Sequence, residues 1–103
     1  MFQLTVLYNH PEDPAAFDKH YDEVHVPLAN KLPGLRRYTV ARPAPGPDGA
    51  QPAYHLVAVL EFDDAAAVGA AMGSPEGQAA QADLGNFAQA GATMLSGPAT
   101  QAT

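Results

Sequence analysis

The 103-residue chain has no cysteine, which excludes disulfides, thiolate catalysis and any zinc site built on sulfur. It is also poor in cations: five Lys and Arg stand against eleven Asp and Glu, for a formal charge of −6. The five form no extended run and so make no phosphate-binding stripe; neither nucleic acid nor an anionic membrane is an expected partner. No apolar stretch is long enough to span a bilayer, and the opening MFQLTVLYNH has neither the basic region nor the small-residue cleavage site of a secretory leader. The expected compartment is the cytoplasm. Glycine-rich phosphate loops and internal repeats are missing, and Ser74 and Ser96 lack the context of a nucleophile elbow.

What is there is an ordinary globular composition, 47% hydrophobic, sized for one domain over residues 1–103. Residues 2 to 8 alternate, with Phe2, Leu4, Val6 and Tyr8 on one face, which is the period of a strand. Asp13-Pro14 reads as a cap and first-turn proline, and Phe17, Tyr21, Val24, Leu28 and Leu32 then form one apolar helical stripe that Pro33-Gly34 stops. Leu35 to Arg42 reads as an edge strand. Residues 43 to 53, with four prolines and two glycines, form a loop too long and stiff for a tight turn, either a flap over a site or a plain connection. Tyr54 to Phe62 is a strand apolar on both faces. Asp63 can cap a short helix over 64 to 72, and Ser74-Pro75-Glu76 opens another that ends near Phe87. Gly91 to Ser96 is a last strand, followed by a frayed tail.

The order strand, helix, strand, strand, helix, strand (βαββαβ) predicts an α+β, ferredoxin-like split βαβ fold with a four-stranded antiparallel sheet in the order 4-1-3-2. Right-handed crossovers place both helical layers on one side. The other side is left bare, yet the first and third strands are apolar or neutral there too. A second copy of the chain is therefore expected to cover it, as a twofold homodimer.

Candidate chemistry centres on the first helix. His20 and His25 are five residues apart, rotated by roughly 140° at 3.6 residues per turn, so they are not expected to share a metal, and no metal site is expected. They flank the apolar stripe, where side chains reach a space between helix and sheet. Asp22, three residues before His25, is placed to orient its imidazole, and Tyr21 lies one turn away, which makes an acid-base set. The alternative role for His25 is to bond a backbone carbonyl freed at the Pro27 kink. Tyr8, Tyr38 and Tyr54 fall on strands, where they either line a pocket and hold a carbonyl or phenol or simply anchor packing. His55 and Glu61 share a strand face without contact, and His10 lies in a turn; solvent exposure is expected for them.

Residues 11 to 38, PEDPAAFDKHYDEVHVPLANKLPGLRRY, and 74 to 88, SPEGQAAQADLGNFA, resemble the EthD family, named for clusters that degrade ethyl tert-butyl ether. Phe17, His20, Tyr21, His25, Pro27, Leu28 and Pro33-Gly34-Leu35 carry the resemblance; the loop at 43 to 53 is the least similar part. The resemblance implies a dimeric α/β barrel, found beside cytochrome-dependent oxidation systems. The wider fold family includes cofactor-free monooxygenases, polyketide cyclases, muconolactone isomerase and some haem proteins, and fold does not choose among them. The expected function is a cofactor-independent enzyme, an isomerase, cyclase, lyase or monooxygenase, acting on a small apolar carbonyl or aromatic compound by histidine acid-base catalysis. The alternative is an accessory module that binds a small hydrophobic compound for an oxidation system without catalysis. No cofactor is expected, and an absorbance spectrum would test for haem.

Overall fold

Four strands form where alternation places them: β1 (Phe2–Tyr8), β2 (Arg37–Ala41), β3 (Leu56–Phe62) and β4 (Ala92–Pro98), in a computed structural model that describes residues 1–103. They pair antiparallel in the order β2-β3-β1-β4, with β2 at an edge. The fold is α+β and ferredoxin-like, of the split βαβ type. The boundaries differ from expectation by one or two residues. Leu35 stays off the ladder, and Tyr54 and His55 precede β3 rather than belong to it. β4 runs past Ser96, and the start of the tail is tied down, because Ala99 N–H donates to the Met1 carbonyl at 2.9 Å.

Three of the helices begin at side-chain caps that relieve unpaired first-turn N–H groups. Asp13 accepts the Ala16 N–H at 3.1 Å ahead of α1 (Pro14–His20), with Pro14 in the first position. A π turn (Tyr21–His25) then leads into α2 (Val26–Ala29). The chain reverses at Pro33-Gly34, where Gly34 takes φ +78°, a region open to glycine and strained for other residues. α3 (Ala65–Gly73) is capped by Asp64, which accepts the Ala67 N–H at 2.8 Å; Asp63, the expected cap, instead receives a two-pronged contact from Arg36 at 2.8 and 3.0 Å. Ser74 caps α4 (Pro75–Phe87) as expected, accepting the Gly77 N–H at 3.0 Å.

The register pairs Leu4 with Leu60 and Val6 with Ala58, so even-numbered residues of β1 and β3 share one face. The core is built there: Val6, Tyr8, Leu56, Ala58, Leu60 and Phe62 pack against Phe17, Tyr21, Ala29, Leu32, Ala71 and Phe87 from the helices. On the opposite face Leu7, Val57 and Val59 are only half-buried and Leu95 is 55% exposed, beside Gln3, Glu61 and Arg37. Fully burying one such aliphatic side chain is worth roughly 1.5–3 kcal/mol, and a lone chain leaves part of that unrealised on this face.

Candidate functional site

Regular α-helical geometry would hold His20 and His25 on separate flanks of the first helix. The structure brings them together. The Val26 N–H reaches back to the Tyr21 carbonyl, an i→i+5 bond, and this widened turn winds by less than 100° per residue. Pro27 supplies a cause: it has no N–H to close an α turn on the Glu23 carbonyl, and its ring would press on that carbonyl. Beyond the π turn the inward set becomes His25, Ala29 and Leu32. Val24, expected on the apolar stripe, is 40% exposed, while His25 is buried.

Both imidazoles converge on Asp83 of α4. His25 Nδ1–H donates to Asp83 Oδ2 at 3.0 Å, His20 Nε2–H donates to Oδ1 at 2.8 Å, and the Asn86 amide donates to Oδ1 at 3.0 Å. An ionised carboxylate only accepts, so these contacts fix the tautomer of each neutral ring. Asp83 is 5% exposed, and every buried polar side-chain atom has a partner. Burial pushes its carboxyl up, but the bonds from Asn86, His20 and His25 outweigh this and hold it below the usual carboxylate range. Burial lowers the His25 pKa against the pull of Asp83. Phe87 stacks on His20 with ring centres 5.2 Å apart and tilts against His25 at 4.8 Å, which fixes both rings from one side.

Asp22 does not orient His25. It is exposed and accepts from Arg42 at 2.9 Å, because its position in the π turn points away from the core. Nor does His25 bond a backbone carbonyl freed at Pro27, since Asp83 takes its Nδ1–H. Asp83 escaped the sequence reading. Its signal is a single carboxylate on the inward face of α4, in line with buried Gly77, Ala80 and Phe87, where an unpaired charge would be costly.

His25 lines a narrow apolar cleft between the helices and the sheet, with about 420 Å³ of empty space, open solvent at its mouth included. Its Nε2 has no protein partner and is not sealed from solvent, which leaves this nitrogen free to accept or donate. Val6, Ala58, Leu60, Met72, Leu84 and Met94 supply apolar wall; Tyr8, Tyr21, Tyr38 and Gln81 add polar groups. The Tyr21 and Tyr38 hydroxyls hydrogen-bond each other, and Tyr8 meets the Tyr21 ring edge-on at 5.6 Å. Burial raises the pKa of all three phenols, reinforced at Tyr8 and Tyr21 by Tyr38, so they are neutral O–H donors at ordinary pH. Tyr54 is not among them: it sits half-buried in the segment before β3 and does not line the cleft.

His20 opens on a different space, a wide cleft of about 1170 Å³ with open solvent included, shared with Glu12, Asp13, Asn86 and Gln89. His10 and His55 are not free in solvent as expected. Gln51 donates to His10 Nδ1 at 3.1 Å, His10 Nε2–H donates to the Pro52 carbonyl at 2.6 Å, and His55 Nε2 pairs with Asp18 at 2.8 Å. These contacts pin the end of the 43 to 53 loop beside α1, and no residue of that loop lines the apolar cleft, so it is not a flap over that cleft. No group of three or more His, Asp or Glu side chains is arranged to hold a metal ion.

Comparison with known proteins agrees with this architecture. An 11.0 kDa protein of Rhodococcus erythropolis, described as uncharacterized and encoded in the thcB-thcC intergenic region, is 46% identical over 95 residues, 92% of this chain and 91% of the relative. The crystal structure of an ethyl tert-butyl ether (EthD) family protein from Bacillus halodurans matches with 37% identity and a TM-score of 0.91, covering 97% of this chain and 99% of the other. Two more distant crystal structures share the fold alone. One is a dimeric ferredoxin-like protein of unknown function from Thermobifida fusca, 14% identical, with a TM-score of 0.69 over 92% of this chain and 87% of the other. The other is SnoaB, a cofactor-independent oxygenase from Streptomyces nogalater, 20% identical, with a TM-score of 0.64 over 97% and 92%. The family model for the EthD domain matches residues 9–91. With most of its length matched and a relative so close in sequence, the chain belongs to the EthD family.

Proposed function

We propose that the protein is a cofactor-independent enzyme that moves a proton on a small, largely apolar carbonyl or aromatic compound, with His25 as the acid-base group. One observation carries this reading: a buried histidine that lines an apolar cleft, with its Nδ1–H fixed on a carboxylate and its Nε2 without a protein partner. The lowered His25 pKa keeps the imidazole neutral at physiological pH, with its Nε2 lone pair ready to accept. His25 takes a proton from a carbon beside a carbonyl, or from a phenol, and the electron pair left behind settles on the substrate oxygen. A hydroxyl of the Tyr21–Tyr38 pair donates to that oxygen as its charge builds, and Asp83 stabilises the imidazolium. The shared fold with a cofactor-independent oxygenase is compatible with this chemistry without assigning it.

The test is a screen of small ketones, phenols and hydroquinones for product, with thermal stabilisation measured in parallel. The wild type should convert at least one, and His25→Gln, which can still donate to Asp83, should lose roughly 10²–10⁴-fold in turnover while staying folded. Undiminished turnover in His25→Gln would remove the assignment. Ligand-induced stabilisation without product would favour an accessory binding role for the same cleft.

The open sheet face supports a homodimer as the working form, and fold neighbours described as dimeric point the same way. A charge at the centre of that face should split it: Val59→Glu is expected to halve the mass measured by light scattering at micromolar concentration. A wild-type mass of one subunit would rule the dimer out.

A further inference from the structure

Asp83 is a single negative charge held between two imidazoles that open on different spaces. His25 faces the apolar cleft with 8% of its side chain exposed, and His20 faces the wide outer cleft with 27% exposed. The groups around the pair are few. Asp83 and Asn86 come from α4, Glu12 and Asp13 from the segment before α1, Tyr21 from the same helix, and Tyr8 and Tyr38 from the sheet. Only Asp83 hydrogen-bonds either imidazole. The convergence also requires the π turn, a rare helical form that is frequent at functional sites.

We propose that His20 is a positioning residue that sets how readily His25 takes a proton, by competing for the one charge on Asp83. This deepens the acid-base reading of His25 and rests on it. When His20 carries a proton, the carboxylate is already compensated, and a second positive charge on its other oxygen is disfavoured. When His20 is neutral, the full charge of Asp83 is available to an imidazolium at His25. The carboxylate raises the proton affinity of His25 and a charged His20 lowers it, both acting after the dominant effect of burial.

The experiment is an NMR titration of His25 in the full chain, using imidazole carbon and nitrogen shifts, for the wild type, His20→Gln and His20→Lys. Glutamine keeps a neutral donor at Asp83 Oδ1, and lysine keeps a permanent charge. The His25 midpoint should lie higher in His20→Gln than in His20→Lys by about half a unit to one unit, a three- to tenfold difference in proton affinity, with the wild type at or between the two. The acid limb of the turnover profile should move in step with each. Midpoints unchanged in both variants, or displaced in one direction by both, would overturn the proposal, since a purely structural role does not follow the sign of the charge. Should the midpoints move as stated while no variant turns over any compound, the coupling stands and catalysis falls. Turnover that depends on His25 beside an unmoved titration gives the reverse.

Discussion

Replacing Asp83 by alanine is expected to remove about 3 kcal/mol of stability at neutral pH, a loss on the order of 15 °C in Tm for a domain of this size at fixed protein concentration. The substitution strands the buried His25 Nδ1–H and releases His20 and Asn86, so several donors lose one acceptor together. Asparagine at 83 keeps one acceptor oxygen without the charge and should fall between alanine and the wild type. The difference from wild type has a defined pH dependence. The folded carboxyl is held below its unfolded value, so Asp83 contributes fully above the ordinary carboxylate range, and its contribution fades as pH falls through the lowered folded value. Turnover in Asp83→Asn should drop roughly 10²–10⁴-fold, because His25 loses both its tautomer lock and its counter-ion. Chemical denaturation at pH 7 and pH 3 checks the stability claim; equal curves for Asp83→Ala and wild type at pH 7 would refute it.

The second large effect concerns a glycine outside the cleft. A Cβ on Gly77 would stand 2.1 Å from the Ala71 carbonyl oxygen and 2.8 Å from both Met72 Cα and the Met72 carbonyl oxygen. These are backbone atoms at the end of α3, so no side-chain rotation relieves the clash. Alanine favours a helix over glycine by about 1 kcal/mol. Overpacking of this kind costs about 1–3 kcal/mol or more, and contacts this short belong at the upper end. Gly77→Ala should therefore destabilise by about 2 kcal/mol net. It should also disturb the site, because pushing the start of α4 off α3 moves Asp83 on the same helix. Gly69 and Gly85 provide the opposite sign: nothing lies within 4 Å of a Cβ there, so alanine at either is expected to stabilise by up to about 1 kcal/mol. Thermal melts of the three variants decide it, and a Gly77→Ala melt at or above wild type would refute the clash.

The strands were legible because alternation is a direct record of two-sidedness. β3 shows it most clearly, with Leu56, Ala58, Leu60 and Phe62 all buried and the residues between them half-exposed. Caps were legible where a short polar residue stands before proline, as at Asp13-Pro14 and Ser74-Pro75. With Asp63 and Asp64 in succession, sequence alone could not say which carboxylate caps and which meets Arg36. The site was read in part. His20, His25, Tyr8, Tyr21 and Tyr38 were singled out as candidates, and the structure places each against one of the two clefts, while Asp22 and Tyr54 lie elsewhere. What failed was the assumption of a constant 3.6-residue period through Pro27. That assumption put Val24 inside, kept the two histidines apart and made a neighbour three residues away look like the partner of His25. The actual partner, Asp83, lies 58 residues along the chain, a pairing only tertiary structure creates.

The winding of the first helix bears on how the protein can vary in length. Phe17, Tyr21, His25, Ala29 and Leu32 face inward at steps of four, four, four and three, and the broad turn absorbs the surplus of the second step. Losing one residue from positions 22 to 24 would leave steps of four, three, four and three, the natural rhythm of an uninterrupted α-helix. Such a chain would keep both histidines on one side, now four apart, and give up only the bulge. Among homologous chains, a gap of one residue at this point is thus expected to be tolerated, whereas a gap of the same size in β1 would send every following side chain of that strand to the wrong side of the sheet.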